Sequence, residues 1–446
     1  MARVTRGTLA RASVAALLTA AATASSASAA SAPVEALLSN FVFLGVGQGF
    51  SSAVRSLDDS LYFWGNQVPT TSLEVAESAT WLTVEGGEGV ECGIVRSTLK
   101  VRCWGASSAV VTNAPAASEA DSAGLQLSIG ASHACMITFD ETLVNPTTLS
   151  LVDDTPENNA AFLRSVKPVC WGAQGQNSGG NLTPPQIGDA DDEDPVVSVH
   201  TGDAFTCVHT FKGRIACSGT YGNGNREDAN NAVPTGVAFK TIAAGELHVC
   251  GVPEGGSELR CWGQCSLLGE CRTPEGVSFS GAPGSLSAGR TFTCGLNLDD
   301  QPVCTGRAPF WSRLTPADVP MLEINSGPTH TCGIRRNDTD LQCWGDCQFR
   351  ECDPPEAFNT VKCTRRGASG TCLRGVSPGE CALRTCTSGM QWEIGGRCNC
   401  FFTLSDAFVR LGESTTPGQV RCGVQRDVAR FFLVRGDAEN ERNGCV

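Results

Sequence analysis

One phrase, written seven times, limits what this chain can fold into more than any other feature. In its full form it opens on a Gly, places a Cys five residues on, and closes in Cys-Trp-Gly after a polar turn, as in "GPTHTCGIRRNDTDLQCWG" from Gly327 to Gly345; other copies close in Phe63-Trp64-Gly65, Cys217-Ser218-Gly219 and Cys304-Thr305-Gly306. The opening glycines are Gly47, Gly87, Gly130, Gly202, Gly245, Gly289 and Gly327. The closing ones, Gly65, Gly105, Gly172, Gly219, Gly263, Gly306 and Gly345, are spaced by 40, 67, 47, 44, 43 and 39 residues. Apart from the one long interval, that period suits a propeller blade or a solenoid unit. Short apolar runs alternate with Gly, Pro and polar turns, and no apolar stripe of 3.6-residue period runs through the copies. The pattern predicts antiparallel β-structure rather than strand–helix–strand units.

The cysteines give the phrase its physical meaning. Two Cys ten or eleven apart, flanking a polar turn, fall opposite each other on a hairpin, at a separation a disulfide tolerates. The predicted pairs are Cys92–Cys103, Cys135–Cys170, Cys207–Cys217, Cys250–Cys261, Cys294–Cys304 and Cys332–Cys343. Closing a loop of this size stabilises a hairpin by roughly 3 kcal/mol at most. The second of these pairs spans the long interval, where Asp140–Val166 is inserted between its strands; lengthening a hairpin tip costs little. The first copy carries Ser52 and Phe63 at the two places, so both partners are missing together. The Trp-Gly ending supplies an apolar anchor between sheets and then a residue free to take positive φ. Cys265 and Cys271, and Cys347 and Cys352, follow the closing phrase in two copies. Two such clusters resemble a zinc site, but their spacing and their absence from other copies favour small local disulfides.

The first 29 residues read as a secretory signal peptide. Arg3, Arg6 and Arg11 precede the short apolar run Ala12–Ala24, and Ala27-Ser28-Ala29 offers a small-residue cleavage site. A plastid or other organellar transit peptide is the competing reading. Removing the segment takes away three Arg and no acid, moving the net charge from −13 to −16, a poor surface for nucleic acid. All 24 Cys lie beyond it, and behind a signal peptide that density implies disulfides. No later stretch is long and apolar enough to span a membrane. The expected organisation is a signal peptide (1–29), an N-terminal linker (30–40), a seven-repeat β-propeller (41–361) and a cysteine-rich tail (362–446).

At these residues the chain resembles the regulator of chromosome condensation repeat superfamily of propellers, which includes secreted β-lactamase inhibitors. The phrase "AGxxHxC…LxCWG" is similar to its disulfide-bearing extracellular form, and the layout is similar to the crinkly-type receptor ectodomains of plants. The resemblance implies an all-β, seven-bladed ring and a small disulfide-rich C-terminal module. It also implies that strands from the two ends of the repeat region, Phe41–Phe43 and Phe358–Val361, close the last blade. The tail, with Cys363, Cys372, Cys381, Cys386, Cys398, Cys400, Cys422 and Cys445, lacks tight Cys-x-x-Cys spacings. It therefore departs from a tumour-necrosis-factor-receptor-like module.

Candidate site residues are few. His133, His248 and His330 stand two before a Cys, where other copies carry Phe50, Val90, Phe205 and Phe292; a place that takes His or Phe is a packing place. His200 and His209 are single occurrences. No nucleophile–His–acid set, metal cluster or phosphate loop is visible, so no catalytic residue, metal or cofactor is expected. Asn181 and Asn337 head glycosylation sequons in predicted loops. The acidic run Asp189–Pro195 reads as a solvated turn, with a cation or basic-ligand site as the alternative. Arg435-Gly436-Asp437 is a chance tripeptide. The expectation is a secreted, monomeric, non-enzymatic module that binds a protein or peptide in the extracellular space, in the manner of a soluble receptor-like ectodomain. A secreted inhibitor or lectin-like propeller is the alternative, and an enzyme or guanine-nucleotide exchange factor fits less well. The ligand and the face that binds it are not legible.

Overall fold

In a computed structural model of the chain, each copy of the phrase lies in an antiparallel sheet of three strands, the fourth copy's sheet adding a short fourth strand, Glu227–Asp228. Its middle strand is the key. Val90–Val95, His133–Thr138, Phe205–Thr210 and His248–Pro253 are buried at every residue. A strand that follows an alternating side-chain geometry can be buried throughout only if both faces are covered. The outer strands, such as Val101–Gly105, mix buried with half-buried and exposed residues. The structure describes residues 31–39 and 43–355, except 56–58, 70, 107, 120–122, 174–181, 189–193, 222–226, 266–268, 307–314 and 337–338. It also describes the backbone of strands within 360–433.

The cover comes from neighbouring sheets. The inner strands are Leu44–Val46, Trp81–Gly86, Gly124–Ile129, Val196–Thr201, Phe239–Ala244, Leu286–Ala288 and Met321–Ser326. Each packs on the next, and the last packs back on the first. The chain therefore forms a closed seven-bladed β-propeller. We number the blades 1 to 7 in chain order. A register shift recurs at one place in the inner strands of blades 2, 3, 4, 5 and 7, the local twist that β-bulges produce.

Two kinds of glycine make the ring possible. The opening glycines are sites of close approach: a Cβ on Gly130 would stand 2.1 Å from the Gly202 carbonyl, and one on Gly327 2.5 Å from that of Val46. The closing glycines all take positive φ, from 90° at Gly219 to 130° at Gly306, where other residues are strained. Between them lie the cysteines. Disulfides join Cys92–Cys103, Cys135–Cys170, Cys207–Cys217, Cys250–Cys261, Cys294–Cys304 and Cys332–Cys343, each with Cα atoms 4.0 Å apart. Cys265–Cys271 and Cys347–Cys352 close two small loops. Blade 1 opposes Ser52 to Phe63 at the matching register.

Three expectations change. Residues 30–40, read as a linker, contain helix α1 (Ser31–Ser39), with Val34, Leu37 and Leu38 buried. In the sequence its apolar residues continue the Ala- and Leu-rich composition of the leader, so no boundary marks it. The 140–166 insertion is also more than a long tip. After two short helices, α2 (Ser72–Glu77) and α3 (Ala109–Thr112), it supplies α4 (Pro156–Ser165). Thr155 caps α4 by accepting from the Asn158 amide at 3.2 Å, with Pro156 in the first turn, a common helix start. α1 packs against α4 and the inner strand of blade 4. It thus bridges the blade 3 insertion and blade 4. Finally, Thr360 and Val361 do not close the last blade. They pair with Leu373 and Cys372 in a tail hairpin, while Phe41, Val42 and Phe358 lie outside the described residues.

Truncating the buried apolar face of α1 tests its docking. Leu37→Ala is expected to cost about 2–4 kcal/mol, with faster hydrogen exchange in α4. Unchanged stability and unchanged α4 protection would contradict the packing described.

Candidate functional site

The seven opening glycines stand around the ring axis, so the residues before and after them form the channel wall and one of its mouths. Along each inner strand, the residue three before the glycine is apolar core: Leu44, Val84, Leu127, Val199, Ile242, Leu286 and Ile324. Positions two and four before it are mostly polar and tie blade to blade. Gln126 both accepts from the Val199 amide at 2.9 Å and donates to the Val199 carbonyl at 3.0 Å. Ser128 meets Thr201 at 2.9 Å, and Ser287 donates to Asn325 at 3.1 Å. Asn325 Nδ2 donates to the Leu44 carbonyl at 2.7 Å and to Glu85 at 3.0 Å. The amide of Phe43 donates to Glu323 at 2.9 Å.

Burial pushes the carboxyls of Glu85 and Glu323 up to about 8, so both are held protonated at neutral pH. Burial raises Glu91 as well. It takes the hydroxyl hydrogen bond of Ser52, the residue that stands where other blades carry the first Cys.

One step past the glycines lies the mouth. Here the seven residues are Gln48, Glu88, Ala131, Asp203, Glu246, Arg290 and Pro328. The backbone frame is stitched across blades: Gln48 donates to the Gly87 carbonyl at 3.1 Å and Asp203 to that of Glu246 at 2.9 Å. Arg290 of blade 6 reaches Glu88 of blade 2 and, at 2.6 Å, Glu246 of blade 5. Burial, and then repulsion from Glu88, raise the Asp203 carboxyl, while Arg290 pulls it down. Burial raises Glu246 too, opposed by Arg290. Two carboxylates thus pair with one half-exposed guanidinium, and a third, Asp203, lies within its field. Chemically, this is a seat for an ammonium or guanidinium group. The sequence held part of the signal: the place after each repeated Gly varies from copy to copy and carries four charged residues, Glu88, Asp203, Glu246 and Arg290.

The histidines belong to the seams. His133, His248 and His330 are fully buried, and each Nε2 meets a hydroxyl of the next blade: Thr206 at 2.9 Å, Thr293 at 2.8 Å and Ser51 at 2.6 Å. The partner always precedes the first Cys place of the following copy. Desolvation lowers these imidazoles to about 4, 4 and 3 respectively. His209 bonds the Phe239 carbonyl at 2.8 Å, and His200 meets Ser198 at 2.9 Å. Of the acidic run, Asp194 is a buried anchor. It accepts from the Lys212 amide and the Arg214 guanidinium, both at 2.6 Å, while 189–193 lie outside the described residues. So do Asn181 and Asn337. Among the described residues no group of His, Cys, Asp and Glu could hold a metal ion, and no helix is long and apolar enough to cross a membrane.

No family model matches the chain. Solved structures similar to it include the crinkly ectodomain of the Arabidopsis thaliana receptor kinase ACR4, at 21% identity over 68% of this chain and 94% of that one, TM-score 0.47. The entire ectodomain of the Physcomitrella patens receptor kinase CR4 is 22% identical over 79% and 81%, TM-score 0.49. Prp20p of Saccharomyces cerevisiae is 15% identical over 68% and 71%, TM-score 0.36. The chain resembles these propellers in layout; its own closed ring carries the fold assignment.

The seam histidines set an acid limit. Their folded pKa values lie below the unfolded value of about 6.5, so the stability they contribute is complete above pH 6.5 and is lost as pH falls towards 4. Each contributes a slope of about 1.4 kcal/mol per pH unit in that window. His248→Phe combined with Thr293→Val is expected to flatten the fall in thermal midpoint between pH 6.5 and 4. An unchanged slope would contradict the assignment.

Proposed function

We infer that the protein is a secreted, non-catalytic binding module, and that the channel mouth is where it meets a protein or peptide. The observation that carries this reading is the pairing of Glu88 and Glu246 with Arg290, in whose field Asp203 also lies, at the rim of a rigid ring. Variable side chains on an invariant scaffold are where recognition concentrates. The partner is a basic segment whose Lys or Arg competes with Arg290 for the carboxylates. Charge complementarity of this kind selects partners and speeds encounter. The net charge of −13 extends the same bias over the whole molecule. Secretion is supported by the leader pattern of residues 1–29 and by eight disulfides among the described residues. A receptor-like soluble ectodomain fits this reading; an inhibitor that presents the same mouth to a basic cleft is the second form it takes.

A synthetic peptide array graded in Lys and Arg content provides the test. Wild-type protein is expected to retain basic peptides in a salt-sensitive manner, and Glu88→Gln with Glu246→Gln to lose at least most of that retention while remaining folded. Arg290→Ala is expected to strengthen it. Retention indifferent to all three substitutions would move the binding surface away from the mouth.

A further inference from the structure

A ring of seven blades has seven seams, and the chain itself crosses six of them. The seventh, between blade 7 and blade 1, has no connecting segment. In blades 2 and 3 the incoming connection does a specific job: it accepts the indole hydrogen bond of the blade it leads into. Trp104 of blade 2 donates to Ser72 in the connection from blade 1, at 3.1 Å. Trp171 of blade 3 donates to the Val110 carbonyl in the connection from blade 2, at 2.9 Å.

Blade 1 has no such connection, yet its Trp64 donates at 2.7 Å to the carbonyl of Glu351. That carbonyl also accepts from Ser51 at 3.0 Å, the hydroxyl that meets His330 of blade 7. The Phe349 carbonyl accepts from the Asn66 amide at 2.6 Å. Glu351 is fully buried, and its carboxylate accepts from the Phe349 amide at 2.5 Å. All these acceptors sit in the loop that Cys347–Cys352 closes. The loop therefore stands in for the missing connection.

The sister loop, Cys265–Cys271, lies at a seam the chain already crosses. The blade disulfides differ again. Each is held in register by its own hairpin, and one sulfur of each is fully buried or nearly so. Cys347 and Cys352 are both half-buried in a surface loop with no sheet to hold them together.

We propose that Cys347–Cys352 is a redox clasp: its reduction by an external dithiol releases the loop and loosens the seam between blades 7 and 1 while the blade disulfides stay closed. In this exchange a thiolate of the dithiol attacks one sulfur, forms a mixed disulfide and expels the other cysteine as thiolate. The second thiol of the reductant then displaces the first cysteine. Two electrons and two protons pass to the cysteines, and the dithiol leaves as its own disulfide. Blade 1 also carries Gln48, which bonds Gly87 beside Glu88 at the mouth, so the clasp is mechanically joined to that rim.

The test uses the full, oxidised protein treated with limiting dithiothreitol without denaturant, followed by alkylation, mass mapping and hydrogen exchange. Cys347 and Cys352 are expected to be alkylated before any of the six blade pairs. Exchange in Ser51–Arg55, Ser60–Trp64 and Leu341–Gly345 is then expected to rise roughly tenfold, the effect of losing one hydrogen bond of average net strength. Exchange in His133–Thr138 should stay unchanged. Cys347→Ala with Cys352→Ala should reproduce the rise without reductant, and Trp64→Phe should do so in part; Cys265→Ala with Cys271→Ala should leave the seam as it is. Earlier reduction of a blade pair, a seam indifferent to loss of this disulfide, or a uniform rise through all blades would overturn the proposal.

Discussion

Burial of the middle strand on both faces is the constraint from which the rest follows. A three-stranded sheet on its own cannot cover two apolar faces, and marginal sheets of this size are not independently stable. Each blade of this protein therefore depends on two neighbours, and a row of blades with free ends would leave two faces in water. Closing the ring removes both at once. The disulfides act inside this scheme as constraints on the unfolded chain. They hold hairpins in register but join no blade to another among the described residues.

What joins blades is apolar packing plus a set of polar contacts that never repeats in full. His133, His248 and His330 reach hydroxyls of the following blade. Where the histidine is replaced by Phe50, the following blade offers Glu91, which binds Ser52 instead. The same seam shows why blade 1 manages without its disulfide. Ser52 and Gly45 leave room for the Glu91 carboxyl: a Cβ on Gly45 would stand 2.9 Å from that oxygen. Burial raises this carboxyl, favouring its neutral form over a buried charge.

Much of the fold was legible because each hairpin is short and its signals are local. Gly, Cys, polar turn and closing Gly fall within 20 residues in most copies, and the repetition outweighs any single ambiguous copy. The less legible features are those whose partners lie a whole blade away. The hydroxyl partner of His133 is 73 residues distant, and nothing in one copy marks it; reading the residue before each Cys against the His of the copy before would have done so. α1 was hidden because its Ala- and Leu-containing face continues the composition of the leader. α4 was hidden inside an insertion read as a loop, although Thr155-Pro156-Glu157 is a helix start. The mouth escaped for a different reason. Its residues are defined by varying, and Glu88, Glu246 and Arg290 acquire meaning only when the ring brings blades 2, 5 and 6 together.

The claim on which all of this rests is that the seven blades form one closed cooperative unit. Native-state hydrogen exchange on the oxidised protein measures that directly. The account predicts that the middle strands of blades 1 and 7, Ser51–Arg55 and His330–Arg335, open with the same free energy as His133–Thr138 of blade 3, although blade 1 has no disulfide. Blades 1 and 7 opening together as a separate, less stable unit would show that the ring is not closed.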